Sequence, residues 1–161
     1  MNKDPSRLRS FSHGRWLFRL PALLRVPLQR ALEGHALPVG HLQKLLMDNS
    51  FWGRERRPAG LLRCLRGSDV IVSTWDGEEL VAVGRATSDG IYRAVLWDVV
   101  VRRDWQGRGA GRAVVNRLLA APAVRCAERV YAMTTHGMGF YRRLGFHEEG
   151  KQRLMLFRRG T

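Results

Sequence analysis

The run Val99-Val100-Val101-Arg102-Arg103-Asp104-Trp105-Gln106-Gly107-Arg108-Gly109-Ala110-Gly111-Arg112 constrains the fold more than any other stretch of this chain. A β-branched segment ends at Val101, a short turn follows, and a glycine-rich loop opens directly into Val114, Val115, Leu118 and Leu119 at helical spacing. Strand, glycine loop and helix in that order aim the free N–H groups of a helix start at a ligand, where the helix dipole favours negative charge. The stretch therefore reads as a pyrophosphate cradle. It lacks the Gly-Lys-Ser/Thr ending of a Walker-type loop, and Arg112 stands where a dinucleotide fold needs its last glycine.

The elements around the loop follow from periodicity and punctuation. Leu42, Leu45 and Leu46 predict a helix stopped at Asp48-Asn49, and Leu61, Leu62 and Leu65 a second one after Pro58, ended by Gly67. Residues 70–75 are β-branched, Asp76-Gly77 is a hairpin turn, and residues 80–86 form its partner strand. A second turn at Ser88-Asp89-Gly90 leads to a third strand over 92–101, which completes an antiparallel meander. After the loop helix, ended near Ala121-Pro122, residues 130–133 predict a strand reached by a right-handed parallel crossover. A short helix over 138–144 stops at Gly145, and Phe146 and residues 154–157 predict two closing strands around a turn at Glu149-Gly150.

The fold class is thus α/β in the α+β sense, one domain over 35–161 behind a basic extension, 1–34, that holds a first strand between Trp16 and Leu32. Residues 5–32 carry no carboxylate and many arginines, which suits a basic tail, a surface-binding segment or an organelle transit peptide. Cys64 and Cys126 lack the paired spacing of a zinc site or disulfide framework, and no metal is expected. With no run long and apolar enough to span a bilayer, the expected setting is soluble and cytoplasmic, or plastid stroma if the extension is a transit peptide. The formal charge of +14, from 28 basic and 14 acidic residues, suits phosphate-bearing ligands or nucleic acid, or is simply a solvated basic surface.

Gln106-x-x-Gly109-x-Gly111 after Asp98-Val99-Val100-Val101 resembles the acetyl-CoA signature of the GCN5-related N-acetyltransferases. The stretch Gly139-Phe140-Tyr141-Arg142-Arg143-Leu144-Gly145-Phe146 resembles that family's second hallmark, in the right order. A narrower likeness, in Asn49-Ser50-Phe51-Trp52, in residues 68–77, in residues 84–89 and in Trp97-Asp98-Val99, is to the family's plastid and cyanobacterial branch, described as serotonin (arylalkylamine) and lysine acetyltransferases. The resemblance implies a mixed, mostly antiparallel sheet of six to seven strands, splayed at its centre and flanked by about four helices. It also implies acetyl-CoA as co-substrate and direct attack by a primary amine in a ternary complex.

Residue by residue, the likeness places the pantetheine amides against Val99, Val100 and Val101 and the pyrophosphate on Gln106, Gly107, Arg108, Gly109, Ala110, Gly111 and Arg112. Phe140 and Arg143 lie beside the pantetheine on this reading, and Tyr141 protonates the leaving thiolate. Asp98 either orients or deprotonates the amine, or pairs with an arginine on the sheet surface. Trp97, Phe51, Trp52 and Thr134 are the candidate acceptor pocket, although aromatics placed like Phe51 and Trp52 are most often core plugs. Thr134 stands where relatives carry an acidic residue, and His136 is the nearby alternative base. The acceptor is an arylalkylamine or a protein lysine or N-terminal amine, with a homodimer possible. A catalytically silent nucleic-acid- or ribosome-binding module is the competing class.

Overall fold

The computed structural model describes the backbone of residues 9–11 and 15–21 and the full residues 37–157. Strands β1 (Arg9–Phe11) and β2 (Arg15–Pro21) precede helices α1 (Val39–Asn49) and α2 (Pro58–Arg66). The meander follows as β3 (Val70–Asp76), β4 (Glu79–Ser88) and β5 (Arg93–Val101). Then come α3 (Ala110–Ala120), α4 (Pro122–Arg125), β6 (Arg129–Ala132) and α5 (Met138–Arg142). The strands make one sheet in chain order, antiparallel except for β2 on β3 and β6 on β5.

Both faces of the sheet are covered, which is why β4 is buried continuously from Leu80 to Gly84 instead of alternating. On one face, Val70, Val72, Ala82, Ala86 and Leu96 meet Val114, Val115 and Leu118 of α3 and Val124 of α4. On the other, Trp75, Leu80, Val83 and Val100 meet Leu42, Leu45 and Leu46 of α1 and Leu61 of α2. Helix α3 lies unusually close: a Cβ on Gly84 would sit 2.7 Å from Val114 Cγ1 and 3.0 Å from Leu118 Cδ1. A glycine in mid-strand marks such an approach.

Two features break the regularity of β5. Its pairing with β4 runs Val83↔Val100 and then Arg85↔Trp97, so Gly84 alone faces both Asp98 and Val99. This is a β-bulge, and Asp98, at φ +51°, is the one non-glycine residue with positive φ among those described. On the opposite edge, β6 pairs with β5 from Arg93↔Arg129 only as far as Leu96↔Ala132. Residues 97–101 of β5 thus run on with no strand beside them on that edge, among the described residues. The β6 pairing thus ends just before the bulge begins.

Two expectations are corrected. No strand forms at Phe146 or over 154–157, and Leu154, Met155, Leu156 and Phe157 are exposed. Apolar composition favours a strand only where a neighbour takes up its backbone hydrogen bonds. Leu62 faces solvent while Leu61 is buried and Leu65 packs with the core on that side. Four residues complete slightly more than one turn, whereas one residue rotates the side chain about 100° away.

Candidate active site

The loop after β5 is held from several directions. Arg102 makes a paired contact with Asp104, Nε to Oδ1 at 2.7 Å and the second guanidinium nitrogen to Oδ2 at 2.9 Å. That pairing holds the Asp104 carboxyl below its usual pKa range. The backbone N–H of Arg103 donates to Asn49 Oδ1 at 3.0 Å, which ties the loop to the end of α1. Gln106 donates from its side-chain amide to the Val101 carbonyl at 3.2 Å, so this residue folds the loop back onto the strand.

Gly107 and Gly109 have φ of +76° and +88°, and a Cβ on either would meet nothing within 4 Å. Glycine is required there by backbone conformation and not by space. Gly109 is the N-cap of α3, with no side-chain cap and no acidic residue in the first turn. The leading N–H groups of α3 therefore face outward from a positive helix end. The Arg108 guanidinium lies over the Trp105 ring, 5.4 Å from its centroid, at the mouth of this turn, and Arg112 is exposed one step along the helix. Gly111 serves a different purpose: a Cβ there would come within 3.2 Å of Val101 Cγ2 and 3.3 Å of the Phe140 ring. The end of β5, the start of α3 and α5 therefore converge at Gly111.

Tyr141 on α5 packs edge-on against Phe140 at 5.0 Å and Phe146 at 5.3 Å between centroids. Its hydroxyl has no hydrogen-bond partner among the described residues. Burial pushes the phenol pKa above its ordinary value of 10.0, so the group is a protonated acid at neutral pH. Arg143 is exposed at the end of the same helix.

The remaining candidates separate. Asp98 is clamped by Arg85, Nε to Oδ2 at 2.5 Å, with side-chain exposures of 12% and 13%. Trp97 donates its indole N–H to Thr87 Oγ1 at 2.8 Å, and the Arg85 guanidinium lies 5.7 Å from its ring centroid. Trp52 packs against the α1 and α2 core under Arg56. Phe51 is 71% exposed and does not plug the core. Thr134 accepts the Gly137 N–H at 2.8 Å and so shapes the turn into α5. His136 is exposed in that turn. Sequence reading missed Arg85 itself, although an arginine inside the apolar run Val81-Ala82-Val83-Gly84 and Ala86 was a visible signal for a buried carboxylate partner.

Residues 35–146 match the acetyltransferase (GNAT) family. The chain is 38% identical over 117 residues to Serotonin N-acetyltransferase 2, chloroplastic, of Oryza sativa subsp. japonica, covering 68% of this chain and 56% of that protein. It is 31% identical over 117 residues to Histone acetyltransferase TAP1 of Glycine max, covering 65% of this chain and 50% of that protein. The chain spans about half the length of these relatives. A GNAT-family protein from Xanthomonas campestris pv. campestris superposes with a TM-score of 0.63 at 26% identity, covering 74% of this chain and 87% of that one. A loop whose glycines are demanded by backbone geometry, a strand that leaves its neighbour beside it, and a family match over the same residues lead to one assignment: this chain belongs to the GNAT acetyltransferase family.

Proposed function

We propose that this protein transfers an acetyl group from acetyl-CoA to a primary amine, and that the acceptor is an arylalkylamine of the serotonin or tryptamine type. The observation that carries the reading is the stretch of β5 beyond Leu96 that has no β6 partner, beside an uncapped α3. Acetyl-CoA supplies a thioester whose acetyl group passes to the amine while its sulfur leaves as a thiolate. Backbone groups of Val99, Val100 and Val101 hold the pantetheine amides as a missing strand would, and one N–H of this edge polarises the thioester oxygen. The N–H groups from Gly107 through Arg112 hold the pyrophosphate, assisted by Arg108 and Arg112. Phe140 and Arg143 flank the pantetheine.

Tyr141 holds its proton at neutral pH and gives it up to the departing sulfur, and the proton released by the acylated nitrogen passes through solvent to restore the phenol. Trp97, fixed by Thr87, presents a flat apolar wall for an aromatic acceptor at the place where the strands part. Similarity to the rice protein named as a serotonin N-acetyltransferase supports this acceptor class.

A second acceptor, a lysine or N-terminal amine of an acidic protein, is favoured by a separate observation. Arg54 and Arg57 in the α1–α2 connection and Arg63 and Arg66 in the last turn of α2 form no ion pair among the described residues. A basic surface repels a small cationic amine and attracts a polypeptide rich in carboxylates. The deciding experiment is thiol release from acetyl-CoA with serotonin, tryptamine, polyamines and lysine peptides of acidic and basic context. Turnover highest with the indole amines is expected, and turnover with acidic peptides alone selects the second reading. No thiol release, no acetyl-CoA binding and salt-dependent RNA binding would sink both in favour of a silent nucleic-acid module.

A further inference from the structure

We infer that Arg85 and Asp98 form a clamp that sets the β5 bulge, so that Asp98 acts as a positioning residue for the thioester strand and not as the base. This rests on the acetyl-transfer reading above. Asp98 stands at φ +51° at the point where the sheet opens, because β6 pairing stops at Leu96 and the bulge begins at the next residues. Aspartate is one of the few side chains that tolerates this region, but a single residue there needs its surroundings to hold it. Arg85 supplies the hold. It lies beside the bulge on β4, reaches Asp98 Oδ2 with Nε at 2.5 Å, and extends a second donor to Ser68 Oγ at 3.4 Å.

The clamp is anchored in turn. Ser68 donates its hydroxyl proton to the Cys64 carbonyl at 2.8 Å, at the end of α2. Asp69, next along, accepts the Ser88 N–H at 2.8 Å and gives its own N–H to the Ala86 carbonyl at 2.9 Å. The carboxylate of Asp98 is thus joined through one guanidinium to the α2 terminus and through β4 to the adjoining turn. The Asp98 carboxylate is taken up by a largely buried guanidinium, and removing either partner would leave the other unpaired. Its service is to fix the left-handed residue of the bulge, from which the stretch of β5 without a β6 partner runs on to Val101.

The test is a set of substitutions that separates backbone conformation from carboxylate chemistry. Glycine adopts φ +51° without steric cost, and asparagine tolerates it, whereas a β-branched residue does not. With the clamp, Asp98→Gly keeps kcat within about tenfold of wild type with an unshifted pH profile, and Asp98→Val loses at least about a hundredfold. Arg85→Gln lowers kcat by about tenfold with little change in acceptor KM, and Arg85→Lys restores part of it. The Arg85→Gln and Asp98→Gly effects are also non-additive in the double variant. With Asp98 as base, Asp98→Gly and Asp98→Asn both fall by a thousandfold or more while still binding acetyl-CoA, and Arg85→Gln, which frees the carboxylate, is as active as wild type; that pattern overturns the clamp. Amide hydrogen exchange over residues 97–101 gives a readout independent of turnover. Faster exchange in Arg85→Gln than in Asp98→Gly supports the clamp even if wild type acetylates no amine, and unchanged exchange in Arg85→Gln removes it.

Discussion

Replacing Tyr141 by Phe separates the role of one hydroxyl from that of the ring that carries it. The ring is wedged edge-on between Phe140 and Phe146, and phenylalanine keeps both contacts. A lost hydrogen bond ordinarily costs about 1 kcal/mol, but this hydroxyl has no partner among the described residues, so no such loss applies. At about 2–4 °C of Tm per kcal/mol for a domain of this size, the melting temperature should stay within about 2 °C of wild type. Turnover should behave otherwise. A positioned general acid is worth about a hundredfold to ten-thousandfold, or about 3–5 kcal/mol of barrier. The measurement is kcat at saturating donor and amine, with acetyl-CoA affinity by titration calorimetry and Tm by differential scanning calorimetry. A selenoester donor, whose selenolate leaves without protonation, should recover most of the loss. Burial raises the phenol pKa, so the acid form persists below the ordinary value and is lost only as pH rises through the raised one. The alkaline fall in kcat from this group therefore begins above about pH 10. Equal kcat in Tyr141→Phe, or a loss matched by weaker acetyl-CoA binding, would refute the assignment.

Gly109→Ala puts a side chain at φ +88° in open space, so its whole cost is backbone conformation, about 1–2 kcal/mol. Acetyl-CoA should bind about 5- to 30-fold more weakly by calorimetry, and unchanged affinity would free the cradle from its left-handed cap. Gly84→Ala drives a methyl against Val114 and Leu118, both fully buried, at 2.7 and 3.0 Å. Overpacking of about 1–3 kcal/mol should lower Tm by about 2–10 °C in a calorimetric scan; no change would mean that α3 slides at no cost. Asp89 accepts the N–H groups of Ile91, Tyr92 and Arg93 on one oxygen, and the Arg93 bond leads the depression of its pKa. The β4–β5 turn therefore keeps this support above the ordinary carboxylate range and loses it as pH falls through the depressed value. Amide exchange at residues 91–93 should accelerate there, and Asp89→Ala should show the faster rate already at pH 6.

The parts legible in the sequence are those whose signals are local. The Asp76-Gly77 turn, the leucine spacing of α1, the glycine loop and the α3 face each lie within a few residues, and each element formed where its pattern placed it. The parallel crossover to β6 was legible because strand, helix and strand occur in that order. What stayed hidden depends on two segments at once. The bulge exists only in the register between Gly84 and the pair Asp98-Val99, and neither strand carries it alone. Asp98 read equally as a base or an ion-pair partner, and the arginine that pairs with it lies on another strand, β4. The apolar run at residues 154–157 shows the converse, since a strand-like composition without a paired edge stays irregular.

The stretch of β5 without a β6 partner also orders the two ends of the donor site. An unpaired strand edge within a sheet is a liability that folds ordinarily cover. Here β5 is paired with β4 on one side from Ala94 to Val101 except at the bulge, and its free stretch on the other runs from Trp97 to Val101, ahead of the glycine loop. A ligand that satisfies this edge needs hydrogen-bonding groups at strand spacing, and one anchored by the loop needs negative charge at the end next to α3. On the proposed donor placement those two demands give a direction, with the anion beyond Val101 and the other end of the ligand toward Asp98. Phosphate-end contacts and bulge contacts are therefore separable. Changes at Gly109 should act on affinity, while changes at Arg85 or in the conformation of residue 98 should act on the chemical step. A chain in which both sets of substitutions weakened donor binding alike would have a single undivided pocket, contrary to the separation of loop and bulge along β5.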